Sequence, residues 1–465
     1  MNEYDFVVIG GGSAGYAGAA LAAKLGLKTA VIEGGDEVGG LCILRGCMPS
    51  KTIIESANRF LSLRRAAEFG LRAEKISAHP GEIMARKQRL IGEFADYRRG
   101  QLEKGAFDFI RGFARFVDPH TVEVSGEKLR THIRSKSFLL ATGSKVSRVP
   151  VPGLDETGCR DSDAVLEWAE IPESVVVLGA GATGLEFAHY FASLGTKVSV
   201  IQRGGQVLKE TDNDVADALG SALERNGIEI FYNTKLTRAE RAGDRKRVWF
   251  EHGGGEKCVE ASEIIYALGR KPQLGGLDLE NAGVALNRGC LSMEPTQQTN
   301  VPHIFAAGDC AGPFELVHVA IQQAEIAARN AARIVQSKPD ALDQADYRLK
   351  LFVIFTQPEV ASVGATEKEL QAAGRAHRAA SYPFNDHGKS LLMGETDGFV
   401  KLIAAERTGE ILGGAVVGPR AADLIHEIAV AMYFRATVHD LLLVPHYHPT
   451  LSEIWTYPAE ELAGG

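Results

Sequence analysis

The sequence has few cysteines and no long block of charges of one sign. Six cysteines in 465 residues are too few for a secreted disulfide scaffold. The net charge of −8 and the lack of a basic cluster argue against a nucleic-acid partner. The first residues, MNEYD, are acidic where a signal peptide begins with basic residues. These absences predict a soluble, cytoplasmic protein that binds neither nucleic acid nor membrane.

One uncharged run, residues 6–23, is 18 residues long and therefore nominally long enough to span a membrane. Five glycines interrupt it, however, and a strand, a tight turn and a helix explain this run better than a single membrane helix. The remaining composition, 45% hydrophobic and 24% charged residues, is typical of a soluble globular protein. A chain of this length is expected to contain about two to four domains.

The glycines of this run form the first of two nucleotide-binding patterns. The apolar strand FVVI is followed by Gly10-x-Gly12-x-x-Gly15, by an alanine-rich helix and by a second strand, TAVIE, which ends in Glu33. In this pattern the glycines permit the turn, the approach of a pyrophosphate and the packing of helix on strand, while the helix N-terminus binds the phosphates. The pattern predicts a dinucleotide site in which Glu33 bonds the adenosine ribose.

The same pattern occurs again in residues 174–203. The strand VVVL precedes Gly179-x-Gly181-x-x-Gly184, and a helix and the strand KVSVI follow. Each copy ends with an apolar strand and Ala-x-Gly, as SFLLATGS in the first and SEIIYALGR in the second. We therefore predict two nucleotide-binding domains in succession, which meet near the proline-rich sequence VPVPGL. A helical insertion at about 52–105 lengthens the first domain.

The two copies differ at the residue that recognises the ribose. Glu33 lies 18 residues after the last glycine of its motif, and the same position in the second copy is Gln202, followed by Arg203. The second site has lost a carboxylate and gained a cation, which favours the 2′-phosphate of NADP(H) over the ribose hydroxyl of NAD(H). The alternative is that Arg203 is a solvated residue at the end of a strand and that Gln202 still bonds a ribose.

Two of the cysteines, Cys42 and Cys47, lie five residues apart in GGLCILRGCMPSK. On a regular helix their Cα atoms would be roughly 8.6 Å apart, whereas a disulfide needs less than about 7 Å. Gly46 and Pro49 predict an irregular stretch in which a strained, easily reduced disulfide could form, and Lys51 would favour a thiolate. A metal pair would need two further ligands that the other cysteines do not offer, so we predict no metal site. Simple packing is the remaining alternative.

Two dinucleotide sites and one cysteine pair together indicate an electron relay. A flavin accepts a hydride and can reduce a disulfide, which no side chain can do. Because the cysteines follow the first site closely, that site is predicted to hold FAD and the second site a nicotinamide nucleotide.

These features resemble those of a known family. GGLCILRGCMPSK is similar to the active-site stretch of the pyridine nucleotide–disulfide oxidoreductases, the group of dihydrolipoamide dehydrogenase and glutathione reductase. ATGS, ALGRKPQ, IFAAGD, FTQPEVASVG and HPTLSE resemble further motifs of this family, in the family's order and over nearly the whole chain. The resemblance implies an α/β fold, with two Rossmann-like FAD- and NAD(P)-binding domains and an α+β C-terminal dimerisation domain.

The domain limits are predicted as follows: FAD-binding, 1–149 and 272–346; NAD(P)-binding, 150–271; dimerisation, 347–465. In the dimerisation domain LFVIFT, FVKLIAAE and EILGGAVVG are predicted strands of a mostly antiparallel sheet, and residues 421–436 a helix.

The resemblance also implies roles for individual residues. Cys47 would face the flavin and Cys42 would exchange with the substrate. Asp309 would bond the ribityl chain, and Lys51 and Glu186 would approach the flavin ring. The other predicted cofactor-binding residues are Gly10, Gly12, Ser13, Ala14, Gly15, Glu33, Gly40, Ala114, Ala141, Thr142, Gly143, Glu315, Leu316, Val317 and His318 for FAD, and Gly179, Gly181, Ala182, Thr183, Gly184, Arg203 and Gly269 for the nicotinamide nucleotide.

His448 and Glu453, in HPTLSE, are implied to be the acid–base and its orienting carboxylate. Thiol–disulfide exchange moves a proton near neutral pH, where imidazole titrates, and a carboxylate partner fixes the imidazole tautomer. In this family the histidine reaches the cysteines from the other subunit, so the resemblance implies an obligate homodimer.

The predicted function is that of an FAD-dependent NAD(P)H:disulfide oxidoreductase similar to dihydrolipoamide dehydrogenase. It would relay a hydride between NAD(P)H and a small disulfide or dithiol. The alternatives are an NADPH-dependent reductase similar to mercuric or glutathione reductase and, from a different class, a flavin-bound redox sensor without turnover.

Overall fold

A computed structural model of the protein describes residues 2–126, 130–338 and 341–464. The chain divides into two compact units, each built from three segments. Unit 1 comprises Met1–Ser50, Ala85–Ser147 and Gly269–Asp346, and unit 2 comprises Lys51–Met84, Arg148–Leu268 and Tyr347–Gly465.

No helix in the described part of the chain is long and apolar enough to cross a membrane. The helices are, in chain order, α1 (Ser13–Lys24), α2 (Gly40–Leu44), α3 (Cys47–Arg64), α4 (Pro80–Glu103), α5 (Ser162–Leu166), α6 (Ala182–Ser193), α7 (Asn213–Arg225), α8 (Val317–Val335), α9 (Glu367–Ala372), α10 (Gly388–Met393), α11 (Ala421–Tyr433), α12 (Val438–Leu443) and α13 (Thr456–Gly464).

The strands are, in chain order, β1 (Asn2–Ile9), β2 (Thr29–Glu33), β3 (Asp108–Arg111), β4 (Phe113–Asp118), β5 (Thr121–Ser125), β6 (Arg130–Leu140), β7 (Ser144–Val146), β8 (Arg160–Asp161), β9 (Ser174–Leu178), β10 (Lys197–Ile201), β11 (Ile228–Phe231), β12 (Lys235–Ala242), β13 (Arg245–His252), β14 (Gly255–Ala261), β15 (Glu263–Tyr266), β16 (Arg270–Pro272), β17 (Leu286–Asn287), β18 (Cys290–Leu291), β19 (Ile304–Ala306), β20 (Leu351–Ile354), β21 (Glu359–Gly364), β22 (His377–Pro383), β23 (Phe399–Ala405) and β24 (Ile411–Gly418).

Unit 1 is built on one sheet with the strand order β3-β2-β1-β6-β5-β4. The strands at its centre are parallel: β1 pairs in parallel with both β2 and β6, and β19 pairs in parallel with the last residues of β6. The carboxyl-terminal parts of these strands, FVVI in β1, AVI in β2 and FLL in β6, are apolar and buried, as expected for segments that are covered on both faces. On one face the alanine-rich helices α1 and α8 pack against the sheet through small buried side chains. This packing places the loop after β1 at the carboxyl edge of the sheet.

Unit 2 contains a second parallel sheet, with the order β11-β10-β9-β15-β8. The strands β9, β10 and β15 are buried and carry the predicted VVVL, KVSVI and EIIY sequences. Helix α6 follows β9 as α1 follows β1, so the duplication predicted from the glycine motifs is present in the secondary structure. A three-stranded antiparallel ribbon, β12-β13-β14, accompanies this sheet.

Unit 2 also contains a five-stranded sheet with the order β20-β21-β24-β23-β22, in which every pairing is antiparallel. The predictions of strands at LFVIFT, FVKLIAAE and EILGGAVVG are confirmed by β20, β23 and β24. The predicted helix over 421–436 is α11, which ends at Tyr433. Its buried face, with Leu424, Ile425 and Ile428, packs into the core of this sheet.

Candidate active site

The loop between β1 and α1 lies tightly against the end of β6. Gly10 has φ +109°, and a Cβ there would lie 2.3 Å from the carbonyl oxygen of Ala141, so only glycine fits. Gly12 is the N-cap of α1 and makes no side-chain cap. A Cβ built at Gly12 would lie 3.6 Å from the Cα of Gly40 and would meet nothing else within 4 Å. The N–H groups of the first turn of α1 therefore face a cradle that a phosphate fits.

Glu33 lies at the end of β2 beside this cradle. Its two carboxylate oxygens accept hydrogen bonds from the backbone N–H groups of Gly11 and Gly35, each at 2.7 Å. These bonds fix the carboxylate, and its remaining lone pairs can accept hydrogen bonds from ribose hydroxyls. The residues present thus fit the adenosine half of FAD.

The second glycine loop has the same construction. Gly179 has φ +100°, and a Cβ there would lie 2.6 Å from the carbonyl oxygen of Ala267. At Gly181, the N-cap of α6, a Cβ would meet nothing within 4 Å. The Ala-x-Gly sequences found after the last strand of each copy thus supply the carbonyl that faces the first glycine.

Gln202 occupies the place that Glu33 has in the first copy. Its Oε1 accepts a hydrogen bond from the N–H of Ala180 at 3.1 Å, and its Nε2 donates to the carbonyl of Gln206 at 2.9 Å. The neighbouring Arg203 is exposed and lines a cavity of about 500 Å³. The other charged or ionisable side chains that line this cavity are Lys235, Glu251, His252 and Glu256.

The two carboxylates of this cavity are already paired with cations. Lys235 Nζ lies 3.2 Å from Glu251, and Arg238 lies 2.7 Å from Glu256. Among the described residues Arg203 makes no ion pair, so its guanidinium is available to an anion.

The two cysteines of GGLCILRGCMPSK lie on either side of a break between two helices. Cys42 lies in α2, Cys47 is the first residue of α3, and Arg45 leaves the helical conformation with φ −142° and ψ 21°. A Cβ at Gly46 would lie 2.9 Å from the carbonyl oxygen of Leu41 and 3.1 Å from the Cα of Cys42. The predicted irregularity is therefore confirmed: the chain folds back onto Cys42. Both cysteines are half-buried, and their pairing stays a prediction.

A cation that the sequence analysis missed lies near Cys42. The guanidinium of Arg98, on α4, stacks over the ring of Tyr16 on α1, 4.2 Å from the ring centroid. Burial lowers the pKa of Arg98, while the charges of Tyr16 and Cys42 act in the opposite direction. Because Arg98 follows the cysteines by more than 50 residues in a polar helix, no local signal in the sequence links them.

Asp309 is held by a short chain of hydrogen bonds. The Ser144 hydroxyl donates to Asp309 Oδ2 at 2.6 Å, and Arg270 Nε donates to Ser144 Oγ at 2.9 Å. Glu315 lies close by, and burial, reinforced by the charge of Asp309, raises its pKa. Ser144 and Arg270 belong to the motifs ATGS and ALGRKPQ, but their contact with Asp309 emerges only from the fold.

Lys51 and Glu186 form an ion pair within unit 2. Lys51 Nζ lies 2.8 Å from Glu186 Oε2, and Glu186 Oε1 accepts from the backbone N–H of Phe355 at 3.2 Å. Lys51 Nζ also lies 5.0 Å from the centroid of the Phe355 ring. The structure thus places in direct contact the two residues that the resemblance implies would approach the flavin ring.

His448 Nδ1 lies 2.9 Å from Glu453 Oε2. The side chain of His448 is 80% exposed, whereas that of Glu453 is 13% exposed. Large apolar side chains are exposed in the same part of the sequence: Val430, Tyr433, Phe434, Leu443, Val444 and Tyr447. An exposed imidazole with a largely covered carboxylate behind it can exchange protons with a group outside its own chain.

The other predicted cofactor-binding residues are distributed between the two units. Ala114 lies buried in β4, next to Phe113, whose ring packs against Gly34 beside Glu33. Gly269 lies in unit 1 with the FAD residues. The following lie at helix starts or after β6: Ser13, Ala14 and Gly15 in α1; Ala182, Thr183 and Gly184 in α6; Thr142 and Gly143 after β6; Glu315, Leu316, Val317 and His318 at α8. Among the residues that the structure describes, no His, Cys, Asp and Glu cluster could hold a metal ion.

Comparisons with known proteins agree with this architecture. Residues 4–324 match the pyridine nucleotide-disulphide oxidoreductase family, and residues 352–459 match the dimerisation domain of that family. The dihydrolipoyl dehydrogenase of Chlamydia muridarum is 36% identical over 99% of this chain and 97% of its own length.

Solved structures are similar over the whole chain as well. The crystal structure of LpdA from Mycobacterium tuberculosis has a TM-score of 0.87 and 30% identity, covering 99% of this chain and 100% of LpdA. The flavoprotein disulfide reductase RclA from Escherichia coli, as a Cu(II) complex, has a TM-score of 0.86 and 26% identity, with coverage of 99% and 100%.

Proposed function

This chain belongs to the pyridine nucleotide–disulphide oxidoreductase family, and from that premise we propose that it uses NADPH to reduce a small disulfide through Cys42 and Cys47. The family, the α/β fold class and the enzyme class predicted from the sequence are confirmed: the protein is an FAD-dependent NAD(P)H:disulfide oxidoreductase. The nucleotide preference, the substrate, the domain limits given above, the cytoplasmic location and the roles of individual residues are our proposals.

The observation that carries the proposal is the fold-back at Gly46. It places the backbone of residue 46 against Cys42 immediately before Cys47 begins α3. A regular helix would hold the two sulfurs apart, whereas this break supports a closed and reducible pair. Arg98 lies within electrostatic range of Cys42 and favours its thiolate.

The chain's own residues then account for the exchange. Bound FAD would supply hydride acceptance from the nicotinamide and two-electron reduction of the cysteine pair. The Cys42 thiolate attacks the substrate disulfide, a new Cys42–substrate bond forms, and the first thiol leaves with a proton from His448. The Cys47 thiolate then attacks the Cys42 sulfur and breaks the Cys42–substrate bond, so the Cys42–Cys47 disulfide re-forms and the second sulfur leaves as a thiolate that takes its proton from solvent. Over one cycle the substrate gains two electrons and two protons.

NADPH is favoured because the second copy has Gln202 at the position that Glu33 occupies in the first copy. A carboxylate at this position would repel a 2′-phosphate, whereas the amide of Gln202 does not, and Arg203 lies next to it. The cavity that Arg203 lines is large enough for a phosphate group, and its own carboxylates are paired with lysine and arginine. Dihydrolipoyl dehydrogenases typically use NAD rather than NADP, so the preference for NADPH rests on Gln202 and Arg203 of this chain alone.

The presence of the family's dimerisation domain supports a homodimer. We further propose that His448 acts on the cysteines of the partner subunit. The exposure of His448 and of the apolar side chains between Val430 and Tyr447 supports this arrangement, because an exposed apolar patch commonly marks a protein interface.

The reaction is tested with the purified yellow protein. NADPH or NADH is paired with lipoamide, oxidised glutathione, Hg(II) and quinones in steady-state assays. We expect turnover with NADPH and a small disulfide, and we expect Cys42→Ser to abolish it while flavin reduction by NADPH persists. Full disulfide turnover by Cys42→Ser would refute the role of Cys42, and flavin binding without turnover of any acceptor would identify a redox sensor.

The exchange between subunits is tested with a differently tagged, co-expressed heterodimer. One chain carries Cys42→Ser and the other carries His448→Gln, and each homodimeric variant serves as the control. If His448 acts on the partner's cysteines, one of the two sites in the heterodimer is intact, and about half of the wild-type turnover is expected. If His448 acts within its own chain, both sites are defective and the heterodimer is as slow as the homodimeric variants.

A further inference from the structure

Glu453 lies between two histidines. Its Oε2 lies 2.9 Å from Nδ1 of the exposed His448, and its Oε1 lies 3.4 Å from Nε2 of His387. His387 is completely buried and precedes α10, far from the HPTLSE motif in the sequence. The two oxygens of one carboxylate thus face an imidazole in solvent and an imidazole in the core.

The tautomer of His387 follows from its second partner. Nδ1 lies 2.9 Å from the hydroxyl of Ser390, which is also completely buried. Within the described residues the buried Nε2 has no hydrogen-bond partner, and Oε1 of Glu453 is an acceptor 3.4 Å away. A carboxylate only accepts hydrogen bonds, so a bond formed there requires the proton on Nε2. Nε2 of a neutral His387 is then the N–H that faces Oε1, and Nδ1 accepts from the Ser390 hydroxyl.

The surroundings keep His387 neutral. Burial lowers the pKa of His387, Glu453 acts in the opposite direction, and His448 lowers it further. Around the ring lie the aromatic side chains of Phe384 and Tyr457, and beyond them Tyr382, whose hydroxyl donates to Asp386. The titratable groups in these contacts are thus Glu453, His448, Tyr457, Tyr382 and Asp386. Glu453 therefore faces one imidazole that burial keeps uncharged and one that is exposed to solvent.

We propose that His387 is a positioning residue for thiol–disulfide exchange. It holds Oε1 of Glu453 so that Oε2 stays directed at His448, and Ser390 fixes the tautomer that makes this possible. The long Nε2–Oε1 separation in the single chain is compatible with this role, because catalytic hydrogen bonds tighten when the reacting partner is bound. The inference rests on the proposed role of His448 as the acid–base.

The inference is tested by the pH dependence of disulfide turnover. In His387→Leu the carboxylate is free to turn, so it stabilises the imidazolium form of His448 less than in the wild type. We expect turnover to drop about tenfold, the lower end of what outer hydrogen-bond partners contribute at metal sites. We expect the acid limb of the pH profile to move down by about half a unit. Gln places an N–H donor close to the position of Nε2, so His387→Gln should restore most of both properties.

Two controls separate this inference from a loss of folding and from failure of the proposed function. Flavin reduction by NADPH does not involve His448 and should be unchanged in every variant. His79 also pairs with a serine hydroxyl, that of Ser77 at 2.9 Å, but it is exposed, so His79→Leu should match the wild type. A pH profile that is unmoved in His387→Leu, or equal defects in His387→Leu and His387→Gln, would overturn the inference. Absence of disulfide turnover in the wild type would instead overturn the function.

Discussion

Glu33 and Gln202 make the same hydrogen bond in the two nucleotide-binding copies. Each side-chain oxygen accepts from the backbone N–H of the residue between the first two glycines, Gly11 in one copy and Ala180 in the other. The two residues, which lie at the same sequence distance from the last glycine of their motifs, therefore also occupy equivalent places in the structure. Because the backbone contact is conserved between carboxylate and amide, the exchange changes the charge at the ribose without changing the loop.

The first prediction concerns Arg203. Charge-assisted hydrogen bonds contribute about 1.5–3 kcal/mol, which corresponds to a change of roughly 10- to 100-fold in kcat/KM. Arg203→Ala should therefore lower kcat/KM for NADPH by roughly that factor and leave the value for NADH nearly unchanged. Gln202→Glu should act in the same direction and improve NADH.

The control for this prediction is Arg59→Ala. Arg59 is another exposed arginine, paired with Glu55 one helical turn away, and its removal should change neither nucleotide. Equal losses for NADPH and NADH in Arg203→Ala, or a wild type that prefers NADH, would contradict the assignment.

The second prediction concerns Gly46. A methyl group there would press on the carbonyl oxygen of Leu41 and on the backbone of Cys42, so one of them must move. Gly46→Ala should slow disulfide turnover by about tenfold, since small misplacements of reacting groups are costly. Thiol titration after anaerobic reduction by NADPH shows whether the pair still opens.

The matched control is Gly92→Ala in α4, where a methyl group meets open space and should add about 0.5–1 kcal/mol of stability without slowing turnover. Equal turnover in both variants would separate the fold-back from catalysis.

The sequence predicted those parts of the structure that depend on neighbouring residues. The glycine loops and the strands LFVIFT, FVKLIAAE and EILGGAVVG are local patterns, and each lies where it was predicted. Contacts between distant segments were not predictable in this way. Arg98 comes near Cys42, and His387 comes near Glu453, only because α4 and α10 pack against segments far along the chain. Lys51 and Glu186, 135 residues apart, were linked by the family resemblance and by nothing in their own surroundings.

The third prediction follows from the position of Arg98. If its guanidinium stabilises the Cys42 thiolate, Arg98→Gln should raise the pKa of that thiol. The rate of alkylation of the reduced enzyme by iodoacetamide, measured against pH, reports this pKa. Arg99→Gln removes an equal charge from the next position, where the side chain is exposed and paired with Asp96, and should leave the profile in place. Identical profiles for both variants would show that Arg98 serves only to pack on Tyr16.

The fourth prediction concerns the ion pair of Lys51 and Glu186. The side chain of Glu186 is 7% exposed and that of Lys51 is 31% exposed, so Lys51→Met leaves a buried carboxylate without its cation. We expect a loss of about 1–3 kcal/mol in the free energy of unfolding, less than the cost of breaking a fully buried pair. The double variant with Glu186→Gln should recover most of this loss, because the amide oxygen still accepts from Phe355. Chemical denaturation measures the free energy of unfolding of each variant in this double-mutant cycle. If the losses of the two single variants simply add in the double variant, the ion pair contributes nothing.

The fifth prediction is a pH dependence of stability that arises from His189. Its Nε2 lies 2.7 Å from Asn58 Oδ1, and burial lowers its pKa from 6.5 to about 4. Between these two values the unfolded chain binds a proton that the folded protein does not, so stability falls as the pH drops below 6.5 and levels off below about 4. The full loss is about 3 kcal/mol, since one unit of pKa corresponds to about 1.4 kcal/mol.

His189→Gln keeps a donor for Asn58 and removes the titration, so its denaturation midpoint should fall less steeply between pH 6.5 and 4 than that of the wild type. The exposed His79→Gln should retain the wild-type slope, and an equal slope in His189→Gln would show that other groups govern the acid limb.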